Sequence, residues 1–312
     1  MLTLDDFAAI PAQAQGAFLA VGNFDGVHRG HASLIAGLRA LADKAGAPAL
    51  ALTFDPHPLV LLRPEKVPQP LVWTERKVEL LKRAGASDVV VFKTGRWLLD
   101  MTAREFFDKV VVERFKAKGM VEGSNFGFGR DRGGDSALLA SWCREAALAF
   151  EVAPPMEFDG QIVSSSRIRN ALKIGDVADA AKWLGRAHRL RGKVVKGAGR
   201  GAELGFPTAN LEHIDTQIPE NGVYAARAIL DDGRTIPSAV HIGPNATFGE
   251  TERTVEVHLI DFNGDLYGRE IQIDMLKYLR GTKPFDGVEA LLEQIRIDVD
   301  QARAIASATA GD

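Results

Sequence analysis

Two histidines three residues apart, His28 and His31, close the stretch AVGNFDGVHRGH at residues 20–31, directly after an apolar run. Imidazoles at that spacing among glycines suit donation to charge on a transferring phosphate, while Gly22, Gly26 and Gly30 let the backbone approach a ligand closely. The same pair could ligate a metal, yet no cysteine or third histidine lies nearby to complete a zinc set. A second group of chemistry-bearing residues falls in KGAGRGAELGFPTAN at 196–210. Gly197, Gly199, Gly201 and Gly205 permit a nest of backbone N–H groups, Lys196 and Arg200 add positive charge, and Thr208 and Asn210 end in oxygens suited to Mg²⁺. No GxxxxGK[ST] occurs, so this is not a Walker-type phosphate loop.

Further along, Glu256 lies in TVEVHLIDF, where strand alternation puts it with His258 on one face and Val255, Val257 and Leu259 on the other. By that pattern alone it is a solvated-face residue. Ser164, Ser165, Arg167 and Arg169, in SSSRIR, offer hydroxyls and N–H groups at a helix start with two forks that can grip phosphate. Plain helix capping is the competing explanation for the serines. Asp55 and His57, in TFDPHP, follow another apolar run, although Pro56 and Pro58 could simply shape a turn there.

These residues need elements to hold them. Up to about residue 150, short apolar runs (AFLAVG, ALALTF, DVVVF) alternate with amphipathic segments (HASLIAGLRALADKAG, ERKVELLKRAG), which predicts a doubly wound parallel sheet with helices on its faces. In such a sheet a strand-to-helix turn at the carboxyl edge is where nucleotides bind. Residues 190–280 are rich in glycine, β-branched residues and alternation, which predicts an antiparallel barrel or sandwich, and GVEALLEQIRIDVDQARAIA closes the chain as a helix. Two domains are expected, 1–186 and 187–312, with no long linker, and 312 residues are enough for two cores. A net charge of −3 excludes a domain-wide basic surface for nucleic acid. No run approaches a membrane span, the start lacks a signal-peptide pattern, and the lone Cys143 can form no internal disulfide, so a cytoplasmic protein is expected. Cys143 reads as a small buried residue, and Trp73, Trp97 and Trp183 as packing.

GNFDGVHRGH resembles the signature of the nucleotidylyl-transferase superfamily, and in this form that of the bacterial bifunctional riboflavin kinase/FAD synthetase family. TFDPHP, VEGSNFGFGRDRGGD, VSSSRIRNAL, GKVVKGAGRGAELGFPTANL, PENGVYA and TVEVHLIDFNGDLYG follow in that family's order, over roughly residues 17–305. The resemblance implies an α/β nucleotidylyl-transferase domain, a β-barrel flavokinase domain and a C-terminal helix. It implies two reactions, riboflavin and ATP to FMN, then FMN and ATP to FAD and pyrophosphate, with Mg²⁺ as cofactor and small molecules as partners; an oligomer is left open. It makes His28, His31 and Glu256 catalytic. It assigns ATP and phosphate to Gly22, Phe24, Asp25, Gly30, Ser164, Ser165, Arg167, Arg169, Lys196, Gly197, Gly199, Arg200, Gly205, Pro207 and Thr208. Thr208 and Asn210 would hold Mg²⁺, and Asn125, Asp55, His57, Arg280 and Phe285 flavin. Phe126 and Phe128, by contrast, read as core. The chain departs from the family's pattern at His241, where Asn is common, and at Ala246, which loosens that turn, and at Thr282 and Pro284, in a region that the resemblance implies forms part of a flap over flavin.

Overall fold

The computed structural model describes residues 1–4, 10–197, 199–244 and 252–309. It divides into two compact units, Met1–Pro68 with Val72–Ser164, and Gln69–Leu71 with Ser165–Asp312. In the first, β1 (Leu2–Leu4), β2 (Phe18–Val21), β3 (Ala49–Asp55), β4 (Asp88–Lys93) and β5 (Gly119–Gly123) lead to a short ribbon, β6 (Gly127–Phe128) with β7 (Gly134–Asp135). Then come β8 (Ala149–Ala153) and a second ribbon, β9 (Glu157–Phe158) with β10 (Gln161–Ile162). The six longer strands form one sheet in the order β1-β4-β3-β2-β5-β8, every pair parallel.

Alternation along these strands feeds two cores. Leu19, Val21, Leu50, Leu52, Val90 and Phe92 pack with Phe106, Phe107, Leu139 and Cys143. Their neighbours Phe18, Ala20, Ala49, Ala51, Val89 and Val91 pack on the other face with Ile35, Leu38, Val78 and Leu81. Helices Arg29–Lys44 and Thr74–Arg83 thus cover one face, and Ser136–Glu145 the other, the doubly wound arrangement that the alternating sequence predicts. Burying a side chain such as Ile35 or Leu38 stabilises the packing by about 2 kcal/mol. The chain steps from β2 outward through β3 to β4, then returns to lay β5 on the other side of β2, so the sheet's switch point lies at the ends of β2 and β5.

The second unit opens with helices Ser165–Lys173 and Val177–Leu184. A closed antiparallel barrel follows: β11 (His188–Val195), β12 (Ala209–Glu212), β13 (Gly222–Ile229), β14 (Thr235–Gly243), β15 (Thr254–Leu259) and β16 (Glu270–Arg280), in the order β11-β12-β15-β14-β13-β16. Tyr224, Ala226, Val240, Ile242, Val257, Ile271 and Ile273 fill its interior. The change of texture near residue 187 marks the start of β11, whereas the compact division falls at 164 and 165. The reason is packing: Ile168, Ala171, Leu172, Val177 and Leu184 join the barrel's core rather than the sheet's. On the barrel's outer face, Ala225 and Ala239 meet Val299 and Ala302 of the closing helix Val288–Ala308.

Candidate functional site

In the first unit, β2 ends at Val21 and the following loop runs into the helix Arg29–Lys44. His28 is that helix's N-cap, its Nδ1 accepting the His31 backbone N–H at 3.3 Å. An acceptor role at Nδ1 puts the proton of a neutral His28 on Nε2, the tautomer that can donate to a phosphate. The His28 and His31 rings stack at 3.6 Å between centroids, with Phe24 edge-on to His31 at 5.3 Å. Gly30 permits this pairing, since a Cβ there would sit 3.2 Å from the His28 ring. Phe24 and Val27 hold φ values of 46° and 39°, a left-handed backbone that costs side-chain residues of order 1 kcal/mol or more and that surrounding structure must hold in place. Thr53 of β3 does part of this, donating its hydroxyl to the Asn23 carbonyl.

Two charged residues here escaped the sequence motifs. Glu122 on β5 is 1% exposed and accepts the Val21 N–H at 2.7 Å. Strands β2 and β5 pair at Phe18–Gly119 and Leu19–Met120, and beyond that register the Glu122 carboxyl takes over the bonding of β2. Burial drives its pKa well above the ordinary carboxyl value, against the Val21 hydrogen bond, and so favours the neutral form. Lys77 is 8% exposed on the helix Thr74–Arg83. Burial pulls its pKa down, while Asp25 and Asp55 act on it in the opposite sense. That places an ammonium among the carboxylates that follow β2 and end β3. Both were detectable: Glu122 is a charge inside the apolar run GMVEG, and Lys77 shares a helix face with buried Leu81, four residues on.

The other predicted residues of this unit are less concentrated. Asp55 precedes a cis proline at the end of β3, and His57 Nδ1 accepts the Leu59 N–H as the chain turns into a short helix. Asn125 is exposed, its carbonyl accepting from Arg132, and Phe126 stacks on Phe128 at 5.1 Å against the core. Cys143 is buried there as expected, its thiol pushed up to about 11 by burial. The serine–arginine run straddles the division, Ser164 closing one unit and Ser165, Arg167 and Arg169 opening the other. Arg169 Nε donates to the Gln69 carbonyl at 3.0 Å, and the Arg167 guanidinium lies over the Trp183 ring, 5.5 Å from its centroid.

The second unit holds a cavity of about 950 Å³ on the barrel's outer face. It is lined by Lys196, Gly197, Gly199, Thr208 and Asn210 on one side and by Arg280, Thr282, Phe285 and Asp298 on the other, with Glu256 and His241 between. The Glu256 carboxylate accepts from the hydroxyls of Thr254 and Thr208 at 3.4 and 3.5 Å. Gly197 packs closely on Asn210, since a Cβ there would fall 2.1 Å from the Asn210 amide nitrogen. The loop backbone and Asn210 therefore interlock. The Pro207 carbonyl is bonded to His258 Nδ1 at 2.8 Å, which fixes the end of the glycine-rich segment. Thr208 Oγ1 and the Asn210 amide are neutral oxygen donors of the kind Mg²⁺ accepts alongside nucleotide phosphates; Gly197 packs on Asn210, and Thr208 bonds Glu256. Gly205 precedes this stretch with φ +85°. Arg280 reaches the cavity, but its fork is turned to Asp298, at 3.0 and 2.7 Å, with Phe285 under the guanidinium. That arrangement ties the end of β16 to the closing helix. Ala246 and the side chain of Arg200 lie outside the described residues.

Two family models match this chain, one described as FAD synthetase over residues 10–167 and one described as riboflavin kinase over residues 184–306. A bifunctional riboflavin kinase/FMN adenylyltransferase from Pseudomonas fluorescens is 35% identical over 95% of this chain and 95% of its own length. The one from Bacillus subtilis is 33% identical over 91% and 90%. A solved structure from Streptococcus pneumoniae, described as a macrolide-efflux protein, is similar with a TM-score of 0.86 and 29% identity, over 97% of this chain and 99% of that one. The sheet with its histidine turn and the barrel with its Thr208–Glu256 cavity fall within the two matched regions, and the chain belongs to the bifunctional riboflavin kinase/FMN adenylyltransferase family.

Proposed function

We propose that this chain makes FAD from riboflavin in two ATP-dependent steps, phosphorylation to FMN by residues 187–312 and adenylyl transfer to FMN by residues 1–186. The observation that supports this reading most is that each motif stands in its own compact unit, His28 and His31 beside the sheet's switch point and Glu256, Thr208 and Asn210 on one barrel cavity. Neither step needs a covalent enzyme adduct, so positioning and charge stabilisation carry the chemistry.

In the kinase step, Glu256 takes the proton of the riboflavin 5′-hydroxyl as its oxygen bonds to the γ-phosphorus and the bond to ADP breaks. Lys196 and the backbone of the glycine-rich segment cradle the phosphates, and Thr208 and Asn210 would hold Mg²⁺, which supplies charge neutralisation there. In the adenylyl step, an FMN phosphate oxygen attacks the α-phosphorus of ATP and pyrophosphate leaves. His28 and His31 donate to the phosphate oxygens as negative charge passes to the leaving group, with Ser164, Ser165, Arg167 and Arg169 contributing further donors. The loop with Gly22, Phe24, Asp25 and Gly30 follows the phosphates, and Asp55, His57 and Asn125 attend the flavin. Phe285 and Arg280 shape the flavin side of the kinase cavity. No helix among the described residues is long and apolar enough to cross a membrane, and a cytoplasmic enzyme acting on small molecules fits this chemistry.

Incubating the purified protein with riboflavin, ATP and Mg²⁺, then separating flavins by chromatography, tests the reading. FMN and then FAD should accumulate. Absence of any flavin conversion rejects it, and conversion of FMN alone rejects the kinase half.

A further inference from the structure

Strand register lays five residues in one row across the outer face of the barrel. Asn210 on β12 pairs with Glu256 on β15, Glu256 with His241 on β14, His241 with Val223 on β13, and Val223 with Arg280 on β16. Residues directly opposite one another point to the same face, and all five line the cavity. Strand spacing then puts His241 about 5 Å from Glu256 and about 10 Å from Asn210. The row has a direction. Thr208, Asn210 and the glycine-rich segment, the phosphate side, lie on one flank of Glu256, and His241 lies on the other. An in-line displacement keeps the phosphoryl donor and the acceptor on opposite sides of the transferred group, so His241 faces the acceptor.

The imidazole has an assignable polarity. Its Nδ1 is buried without a hydrogen-bond partner among the described residues, which leaves Nε2 as the nitrogen open to the cavity. A buried ring N–H with nothing to bond is rarer than an unused lone pair, so the proton belongs on Nε2. The charged groups that act on the ring are Glu256 from β15 and Arg280 from β16. Burial lowers the His241 pKa, opposed by Glu256 and aided by Arg280, which favours the neutral ring.

We propose that His241 is an acceptor-recognising residue of the kinase site, its Nε2–H donating to a hydroxyl of the riboflavin ribityl chain beside the 5′-oxygen. This rests on the kinase reading above and adds to it the residue that selects the polyol. The test uses the full chain, with His241→Ala and with His241→Asn, which restores a side-chain N–H donor. In the riboflavin phosphorylation assay, His241→Ala should raise KM for riboflavin about tenfold, the weight of one neutral hydrogen bond. KM for ATP should stay within about twofold, and His241→Asn should recover most of the loss. Lumiflavin, which lacks the ribityl chain, serves as a competitive inhibitor of the same reaction, and its Ki should not move. Circular dichroism and thermal unfolding of the same preparations report that the variants fold. An unchanged KM for riboflavin, an equal weakening of lumiflavin, or a rise in KM for ATP instead overturns the inference while leaving kinase activity standing. A wild-type protein that makes no FMN overturns both.

Discussion

His28, the N-cap, and His31 come together at the start of one helix, where a three-residue spacing puts their stacked rings side by side. Asn210, Glu256, His241 and Arg280 belong to four strands and meet only because antiparallel register lines them up on one face of a closed barrel. The first site is local, held by a cap and a strained loop, while the Glu122 carboxyl of β5 braces the end of β2 from a distant part of the chain. The second is assembled, and its parts can be separated by any shift of register. The difference teaches that the two activities should fail independently, the first to changes in one loop and the second to changes scattered along the chain.

The largest effect should come from Glu256→Ala, which removes the proposed base and should lower FMN formation about a hundredfold to ten-thousandfold. FMN-to-FAD conversion in the same protein should stay within about twofold; loss of both would break the independence of the units. His31→Ala should act in mirror image, lowering adenylyl transfer about a hundredfold or more while riboflavin phosphorylation persists. His28→Asn refines that comparison, because Asn keeps the N-cap, worth about 1 kcal/mol, while removing the imidazole. It should retain wild-type thermal stability and lose FAD synthesis. A smaller effect is expected for Gly197→Ala. Its Cβ would meet the Asn210 amide at 2.1 Å, so the loop or the Asn210 side chain must shift, and kinase activity should fall about tenfold with adenylyl transfer untouched.

The smallest effects are in stability, and their signs oppose. His188 at the start of the barrel donates Nε2–H to the Gln217 carbonyl at 2.7 Å, and burial, partly opposed by that bond, lowers its pKa to about 4 from the ordinary 6.5. The unfolded chain therefore binds a proton that the folded barrel refuses. Stability is full above about pH 6.5 and is lost as pH falls toward 4, by about 3 kcal/mol at most. Glu122 in the sheet behaves oppositely. Its raised pKa means that the folded unit keeps a proton which the unfolded chain releases above the ordinary carboxyl value, so stability declines as pH rises from there. Thermal unfolding followed across pH should show His188→Gln flattening the acid limb and Glu122→Gln flattening the decline on the other side. Unchanged limbs in either variant would remove that residue from the account.

Much of the fold was legible because period and punctuation are local. The alternation of apolar runs and amphipathic segments predicts the wound sheet, and strands β2, β3 and β4 lie where AFLAVG, ALALTF and DVVVF predict them. The antiparallel part was readable as barrel or sandwich, but only the β11–β16 pairing closes it. Glu122 and Lys77 stood in plain sight as single charges on buried faces, yet nothing short-range says that one bonds the end of β2 and the other sits among Asp25 and Asp55. Arg280 lines the cavity, and the engagement of its fork by Asp298, from a helix that packs back on the barrel, could not be read from its own stretch of chain. His241 was visible only as a departure from a familiar pattern. Its register opposite Glu256 gives it a place in the cavity.

The sequence by itself determined the residue types, the capped histidine turn and the glycine-rich segment, since those depend on neighbours within a few positions and on backbone preferences that each residue carries with it. Only the tertiary structure decided which strand lies beside which, and therefore which side chains share the cavity. Cross-strand neighbours are selected by the burial of a whole core, and no single stretch of chain encodes that sum.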